Sequence, residues 1–256
     1  MNPVRVAIAG AGGRMGLALL EAASTSEGIA LGGAVDLKSG AWGDVAIGTD
    51  MAALLKDCDV VIDFTRPEGT LAHVRACVAA KRAIVIGTTG FSPAQLAEIR
   101  AAATSIAVVM APNMSIGVNV ALGLVELAAR SLGPDYDVEV FEMHHRKKVD
   151  APSGTALKLG EVAAAARATS LEKDGVYARH GVTGERKDGT VGFSVARGGD
   201  VVGDHTVFFA GPGERIEITH RSSSRANYAQ GAMRAARFVA VQKPGIYDMQ
   251  DVLGLR

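Results

Sequence analysis

The amino terminus constrains the fold more than any other segment of the chain. Val4–Ala9 is a short apolar stretch typical of a β-strand, and a helical pattern covers residues 17–26. Between them lies a glycine-rich segment, Gly10-Ala11-Gly12-Gly13-Arg14-Met15-Gly16. Strand, glycine turn and helix, in that order, are the context of a dinucleotide-binding loop, because the glycines let the backbone approach a pyrophosphate at the start of the helix. A purely structural glycine turn is the alternative interpretation.

The residues around this segment favour the binding interpretation. Met15 stands where the third glycine of a G-x-G-x-x-G pattern is expected, and Gly16 follows one position later. A second predicted strand, Ile29–Val35, leads into Asp36, which lies about 20 residues beyond the loop, at the usual distance for a ribose-binding acid. We therefore predict that the first domain binds a dinucleotide.

Predicted strands and helices continue to alternate through the first part of the chain. Helices are predicted at residues 50–56, 69–81 and 93–104, and strands at Val60–Asp63, Ala83–Ile86 and residues 106–110. This alternation predicts an α/β fold of the Rossmann type, with a doubly wound parallel sheet. Ligands bind beyond the carboxyl ends of such strands, where this chain has small, polar or glycine-rich loops at residues 10–16, 63–67, 87–90 and 111–114. Ordinary turn chemistry would explain any one of these loops, but their succession favours a cofactor cleft.

The pattern changes after Ser115. Helices are predicted at residues 116–131 and 155–168, and strands at residues 137–143, Val191–Arg197, 204–210 and 215–219. This order predicts a second, α+β domain with mixed or antiparallel pairing, in which residues 171–188 form a long loop. A helix predicted at residues 227–241 would return to the first domain, with Arg225 at the crossing. The predicted domains are residues 1–114 with 225–256, for the dinucleotide, and residues 115–224, for substrate and oligomer contacts.

The stretch from Glu142 to Thr155 holds the residues best suited to chemistry. Ser153 is a predicted N-cap, and a helix start of this kind binds anions. Together with Lys148, His145 and Arg146 upstream, it is suited to a small substrate with carboxylates. His144 and Lys148 are then the natural proton donors.

Two other interpretations of this stretch stay open. The basic run is also typical of a solvated turn. A metal site with Glu142, His144 and His145 is less favoured, because no His-Glu-x-x-His spacing occurs and the remaining histidines are scattered. We therefore predict no metal.

Charge, hydropathy and cysteine content exclude several classes of protein. The 27 basic and 27 acidic residues cancel, which argues against binding nucleic acid through its phosphates. No segment approaches the ~18 uninterrupted apolar residues of a membrane span. Cys58 and Cys77 fall in segments predicted to be buried, which favours inert thiols over a disulfide. Because the first predicted strand begins at Val4 without a signal peptide before it, we expect a cytoplasmic location.

Taken together, the motifs closely resemble the 4-hydroxy-tetrahydrodipicolinate reductase (dihydrodipicolinate reductase) family of bacterial lysine and diaminopimelate synthesis. The resemblance spans the chain, and the His-His-x-x-Lys segment is its most specific part, because Rossmann domains serve many functions. It rests on residues 6–16, 63–69, 87–91 and 144–155 and on Gly184-Glu185-Arg186.

The resemblance implies a homotetrameric cytoplasmic enzyme that reduces a small dicarboxylate substrate with NADH or NADPH. It implies that His144 donates or accepts a proton, that Lys148 is a second proton donor, and that His145, Gly154 and Thr155 bind the substrate carboxylates. The implied cofactor contacts are Gly10, Ala11, Gly12, Gly13, Arg14, Met15, Asp36, Gly87, Thr88, Thr89, Ala111, Pro112, Asn113 and Met114.

The residues after the second strand bear on which cofactor is preferred. Some family members carry an arginine directly after the strand-end acid, whereas this chain has Leu37 and then Lys38. Since Asp36 would repel a 2′-phosphate, we expect NADH to serve equally well or better than NADPH.

Two alternative functions remain open. The chain could be a reductase of another small carbonyl or imine acid, or a non-enzymatic nucleotide-sensing regulator.

Overall fold

The computed structural model describes residues 2–224 and 226–255 of the 256-residue chain. Arg225, the residue predicted at the crossing between domains, lies outside the described residues. The described chain forms two compact units, one of residues 2–116 with residues 226–255 and the other of Gly117–Ser224. Within the described residues, no helix has the length and apolar character required to cross a membrane.

The secondary-structure elements are numbered in chain order. The strands are β1 (Val4–Ala9), β2 (Ile29–Val35), β3 (Gly40–Trp42), β4 (Val45–Gly48), β5 (Val60–Asp63), β6 (Ala83–Ile86), β7 (Ala107–Met110), β8 (Asp137–His144), β9 (Gly175–Val176), β10 (Val191–Arg197), β11 (Gly203–Gly211), β12 (Glu214–Ser222) and β13 (Gly245–Tyr247). The helices are α1 (Arg14–Thr25), α2 (Met51–Leu54), α3 (Pro67–Ala80), α4 (Pro93–Ala102), α5 (Ile116–Leu132), α6 (Gly154–Ala166), α7 (Leu171–Asp174), α8 (Ala226–Val239) and α9 (Met249–Leu253).

The first unit is built on a twisted sheet with the strand order β13-β7-β6-β5-β1-β2-β4-β3. Every neighbouring pair is parallel except β3 and β4, which form an antiparallel hairpin. The order β4-β2-β1-β5-β6-β7 is that of a Rossmann fold, in which ligands bind where the order reverses beside the first strand. The predicted fold class is therefore confirmed.

Both faces of this sheet are buried, which explains why its strands are continuous apolar runs. Along β1, Val6 and Ile8 pack into a core with α1, α8 and α9, whereas Ala7 and Ala9 pack into a second core with α3 and α4. Fully burying a side chain such as Ile8 stabilises the fold by about 1.5–3 kcal/mol. The two cores therefore keep these strands rigid, and the predicted cofactor loops follow the carboxyl ends of the strands.

The second unit contains a sheet with the strand order β12-β11-β8-β10-β9. β8 pairs parallel with β10 and antiparallel with β11, so the predicted mixed pairing is confirmed. Alternate residues of β8, Val138 and Val140, pack into a core with α5 and α6. Because side chains alternate along a strand, Glu142 and His144 project from this same helix-covered face. Phe141 projects from the opposite face and is exposed.

Several element predictions need correction. α1 begins at Arg14 rather than residue 17, because Gly13 is its N-cap, and α3 begins at Pro67 rather than residue 69, because proline suits the first helical turn. The loop predicted for residues 171–188 contains α7 and β9 at its start. Short elements at β3, β4, β13 and α9 were not predicted, because three to five residues carry too little periodicity.

Candidate active site

The glycine segment after β1 forms a tight turn at the point where the strand order reverses. Gly10 has a φ of +70°, and the N–H groups of Gly10 and Ala11 donate to the Val35 carbonyl at 2.9 and 3.1 Å. A β-carbon at Gly16 would lie 2.2 Å from the Gly10 carbonyl oxygen, so only glycine lets α1 pack this closely on the turn. Gly16 therefore serves the close-packing role of the third glycine, although it comes one position late.

Asp36 lies directly against this turn. Its Oδ2 accepts a hydrogen bond from the Gly12 N–H at 2.8 Å, and its Oδ1 accepts one from the Leu37 N–H at 2.6 Å. Each carboxylate oxygen has a second lone pair, so both can still accept from ribose hydroxyls. Leu37 is 96% exposed and offers no charge. The structure thus brings Asp36 and the glycine turn together.

The loops after β5 and β6 are joined by a buried carboxylate that the sequence did not single out. Asp63 is fully buried and accepts hydrogen bonds from the Thr65 N–H at 2.7 Å, the Thr70 hydroxyl at 3.1 Å and the Thr88 hydroxyl at 3.4 Å. His73 Nδ1 lies 2.6 Å from Asp63 Oδ2. Burial acts to raise the pKa of Asp63, but the hydrogen bonds from His73 and Thr65 outweigh it and lower that pKa.

The remaining residues predicted to contact the cofactor differ in their accessibility. The Thr88 side chain points into the Asp63 cluster, and Met114 is buried in the core beneath α8, whereas Thr89 is exposed. Gly87 has to be a glycine, because a β-carbon there would lie 2.1 Å from the Phe64 ring. At positions 88 and 114 only the backbone is therefore suited to bind a ligand.

In the second unit, Glu142 and His144 stand two residues apart at the carboxyl end of β8. Glu142 is 1% exposed, and its Oε2 lies 2.6 Å from His144 Nδ1. The Arg197 guanidinium clamps the same carboxylate with two hydrogen bonds of 2.8 Å. The Ser153 N–H donates to its Oε1 at 3.0 Å. One carboxylate therefore contacts the predicted proton donor and the start of α6.

The start of α6 has the geometry predicted for an anion site. Ser153 is the N-cap, and its Oγ accepts from the Ala156 N–H at 3.2 Å. Gly154 and Thr155 are the first helical residues, and the space around the Gly154 Cα is open. The first N–H groups of a helix lack intrahelical partners and attract anions. The preceding Ala151–Pro152 peptide bond is cis.

A buried histidine lies behind this helix start. His205 Nε2 is 3.0 Å from Ser153 Oγ, and its ring meets that of His144 edge to face at 5.0 Å. Burial, together with repulsion from His144, lowers the pKa of His205 to about 4. His205 is therefore neutral at physiological pH and suits a structural role beside His144.

The other predicted substrate residues follow β8 in the same loop. Lys148 Nζ pairs with Asp150 Oδ1 at 2.8 Å, and this pair lowers the pKa of Asp150. Asp150 is largely exposed, and such pairs contribute only about 0–1 kcal/mol, so Lys148 can exchange its partner for a ligand at little cost. His145 Nδ1 has no hydrogen-bond partner among the described residues.

Sequence reasoning missed Arg197 and His205 and considered Glu142 only as a metal ligand. The spacing of Glu142 and His144 on one strand was a usable signal, because residues two apart share a face. Nothing in the sequence indicated that Arg197 on β10 stands opposite His144 on β8, or that His205 on β11 stands opposite Glu142 on β8.

The described residues contain no group of three or more His, Cys, Asp or Glu placed to hold a metal ion.

Both cysteines fit the prediction of inert thiols. Cys58 and Cys77 are free and buried. Burial raises the pKa of Cys58 to about 11 and raises that of Cys77 as well, so neither forms a thiolate readily.

The first unit has the turn, the strand-end acid and the strand order of a dinucleotide-binding fold, and the second holds the residues predicted for acid–base chemistry and anion binding. This combination defines a reductase that uses a nicotinamide cofactor on a small substrate. Residues 4–114 match the sequence model described as dihydrodipicolinate reductase, N-terminus, and residues 117–253 match that described as dihydrodipicolinate reductase, C-terminus. The chain belongs to the dihydrodipicolinate reductase family.

Full-length relatives agree with this membership. The chain is 58% identical to the 4-hydroxy-tetrahydrodipicolinate reductase of Bordetella pertussis, over 99% of this chain and 98% of the relative. It is 56% identical to that of Aromatoleum aromaticum, over 100% of this chain and 97% of the relative. The solved structure of dipicolinate-bound dihydrodipicolinate reductase from Paenisporosarcina sp. TG-14 has a TM-score of 0.80 at 26% identity, covering 97% of this chain and 99% of that one.

Proposed function

We propose that this protein is a 4-hydroxy-tetrahydrodipicolinate reductase, which makes tetrahydrodipicolinate in lysine and diaminopimelate biosynthesis. The observation that carries the proposal is that His144 and the anion-binding start of α6 are held by one buried carboxylate, Glu142, in a chain of this family. A site that reduces a small dicarboxylate needs a proton donor at a fixed position from the groups that bind carboxylate.

We assign cofactor binding to the first unit, and the bound cofactor would supply the hydride. Gly12, Gly13 and the first turn of α1 would receive the pyrophosphate, and Asp36 the adenosine ribose. The loops at residues 87–89 and 111–114 follow β6 and β7 at the same edge of the sheet and would hold the remainder. A β-carbon at Gly12 would lie 3.2 Å from Asp36 Oδ2, so glycine keeps this approach to the acid open.

The second unit is assigned the substrate. His145, Gly154 and Thr155 would bind the two carboxylates, and Lys148 would leave Asp150 and add its positive charge to the site. His144 and Lys148 would deliver one proton to balance the hydride from the cofactor, so that the substrate gains two electrons and two protons in all. The dipicolinate bound by the Paenisporosarcina relative is a planar dicarboxylate, which agrees with such a cradle.

Both nicotinamide cofactors should serve, with NADH equal to or better than NADPH. The Asp36 carboxylate favours ribose hydroxyls and repels a 2′-phosphate. The exposed Leu37 offers no compensating charge, whereas Lys38 and Arg14, also exposed, reduce the discrimination.

A homotetramer would use the open face of the second sheet. Phe141 and Phe208 lie on this face and line a shallow cavity of about 370 Å³ together with Glu139 and Ser194. Phe141 is exposed and Phe208 is partly buried, and aromatic side chains on an uncovered sheet face are typical of protein interfaces.

Because the reaction consumes a nicotinamide cofactor, we also propose that the protein works in the cytoplasm.

The test is loss of NADH absorbance with substrate generated enzymatically. Substrate-dependent oxidation of NADH supports the proposal. Oxidation with other small imine or carbonyl acids but not with this substrate would identify a different reductase. Binding of NADH without oxidation in any of these mixtures would identify a nucleotide-sensing regulator.

A further inference from the structure

Glu142 uses all of its acceptor capacity on three different parts of the second unit. Oε2 contacts His144 Nδ1 on its own strand and one Arg197 nitrogen on β10. Oε1 accepts from the other Arg197 nitrogen and from the Ser153 N–H before α6. A buried carboxylate is tolerated only when its lone pairs are satisfied in this way.

The ionised state of this carboxylate follows from these contacts. Burial acts to raise the pKa of Glu142, but hydrogen bonds from Arg197, His144 and Ser153 outweigh it and lower that pKa. Arg197 also donates to the Asp150 carbonyl at 2.6 Å, which fixes the guanidinium in place. Glu142 therefore stays negative at neutral pH.

An ionised carboxylate can only accept, so the neutral His144 ring must carry its proton on Nδ1. Nε2 is then the nitrogen left for chemistry. Position 203 leaves room beside it, because a β-carbon on Gly203 would lie 2.8 Å from His144 Nε2. His144 contacts His205 and Glu142, and Arg197 clamps Glu142. His220 lies opposite His205 on β12, and Lys148 interacts electrostatically with His205.

We propose that Glu142 is the positioning residue of the reaction, holding the His144 ring with Nε2 toward the substrate and, through Ser153, holding the carboxylate-binding start of α6 in register with it. The proposal rests on the function proposed above. Arg197 supports Glu142 from β10, so the two side chains position His144 together. Neither residue needs to touch the substrate.

The test replaces Glu142 by glutamine, which keeps the shape but offers one acceptor oxygen instead of two. Either Arg197 or His144 then loses its acceptor. We expect Arg197 to keep the amide oxygen, so that the amide NH₂ faces His144 Nδ1, the Nδ1–H tautomer of His144 is lost and kcat falls by roughly 10²-fold. Glu142→Asp retains two acceptor oxygens and should keep that tautomer while kcat falls.

A matched control is Glu98→Gln, since Glu98 is also clamped by an arginine, Arg75, through two hydrogen bonds of 2.6 and 3.0 Å. This variant should keep the kcat and the His144 tautomer of the native protein. Native kcat in folded Glu142→Gln would overturn the proposal. If that variant does not fold, Arg197→Lys provides the test, with a several-fold loss of kcat expected, and native kcat would count against the proposal.

A readout on the native protein does not depend on activity. Two-bond and three-bond ¹H–¹⁵N correlation spectra of imidazoles distinguish the two neutral tautomers, and we expect His144 to carry its proton on Nδ1. A proton on Nε2 would refute the inference. If His144→Ala keeps native kcat, the proposed function fails; if only Glu142→Gln keeps it, the positioning role alone fails.

Discussion

At the scale of single residues, the second unit holds its two predicted proton donors in different ways. His144 is buried to 8% exposure and bonded through Nδ1, whereas Lys148 is held only by the exposed Asp150. The histidine is therefore preorganised, and the lysine is free to change partners. Preorganised acid–base groups contribute more to the transition state than to ground-state binding.

Replacing either predicted proton donor should affect chemistry and not cofactor binding. We expect His144→Ala and Lys148→Ala each to lower kcat by about 10²–10⁴-fold, because general acid–base groups contribute on that scale. The dissociation constant for NADH, measured by nicotinamide fluorescence, should stay within a few-fold of the native value. A variant with native kcat would remove that residue from the mechanism.

The cofactor preference depends on Asp36 and Leu37. A hydrogen bond to a charged group contributes about 1.5–3 kcal/mol, which is up to roughly two orders of magnitude in affinity. We expect the double variant Asp36→Ala with Leu37→Arg to shift kcat/KM toward NADPH, because the repelling charge is removed and an attracting one is introduced. A native preference of tenfold or more for NADPH would show instead that Lys38 or Arg14 dominates.

At the scale of elements, strand ends and helix starts carry both predicted binding regions. The Asp63 cluster ties the loop after β5 to the loop after β6, and Ser153 with Glu142 ties β8 to α6. In each case a buried carboxylate bonds segments that are distant in sequence. These hydrogen bonds thus fix the element ends at which ligand binding is predicted.

The start of α6 should determine the affinity for a planar dicarboxylate. We expect 2,6-pyridinedicarboxylate to compete with substrate, and Thr155→Val or Lys148→Ala to weaken that inhibition by about tenfold, since each removes one polar or charged contact. Inhibition constants from steady-state kinetics measure this effect. Lys158→Gln, on an exposed side chain of the same helix, is the control. Equal inhibition of all three variants would place the anion site elsewhere.

The Asp63 cluster should make the free energy of unfolding depend on pH in the acid range. The pKa of Asp63 is lower in the folded chain than in the unfolded chain, so its contribution to the free energy of unfolding is present above pH ~4 and is lost as pH falls. We expect Asp63→Asn to be less stable at pH 7 and to lose less stability than the native protein between pH 5 and 3. Urea unfolding at several pH values provides the measurement, and parallel pH curves would contradict the assignment.

At the scale of the whole molecule, the two units bury different kinds of surface. The first has cores on both faces of its sheet. The second packs α5 and α6 on one face and leaves Phe141 and Phe208 on the other. A half-covered sheet with aromatic side chains favours self-association.

Charging that face should therefore break the oligomer. We expect the native protein to run as a tetramer in size-exclusion chromatography with light scattering, and Phe141→Glu to yield smaller species, because burying an unpaired carboxylate at an interface is unfavourable. Val120→Glu, on the exposed side of α5, is the comparison. A native monomer, or a tetramer unaffected by Phe141→Glu, would show that this surface is not an oligomer interface.

The sequence by itself determined the fold class, the long elements and the motifs of the family. β1, β2, β5, β6 and β10 have the predicted bounds, because each is an apolar run delimited by turn residues. Ser153 is the predicted N-cap for the same reason, since capping is a local interaction. The short β3, β4 and β13 were missed, because such strands depend on neighbours and not on their own periodicity.

Only the tertiary structure decided which side chains surround the chemistry. Arg197 and His205 lie on strands 53 and 61 residues beyond His144 in the chain and reach Glu142 and Ser153 through strand register. Asp63 likewise accepts hydrogen bonds from the hydroxyl groups of Thr65 and Thr88, which lie in two different loops. Registers between distant strands follow from packing of the whole core, and no local pattern encodes them. The residues predicted to react were therefore visible in the sequence, whereas those that hold them were not.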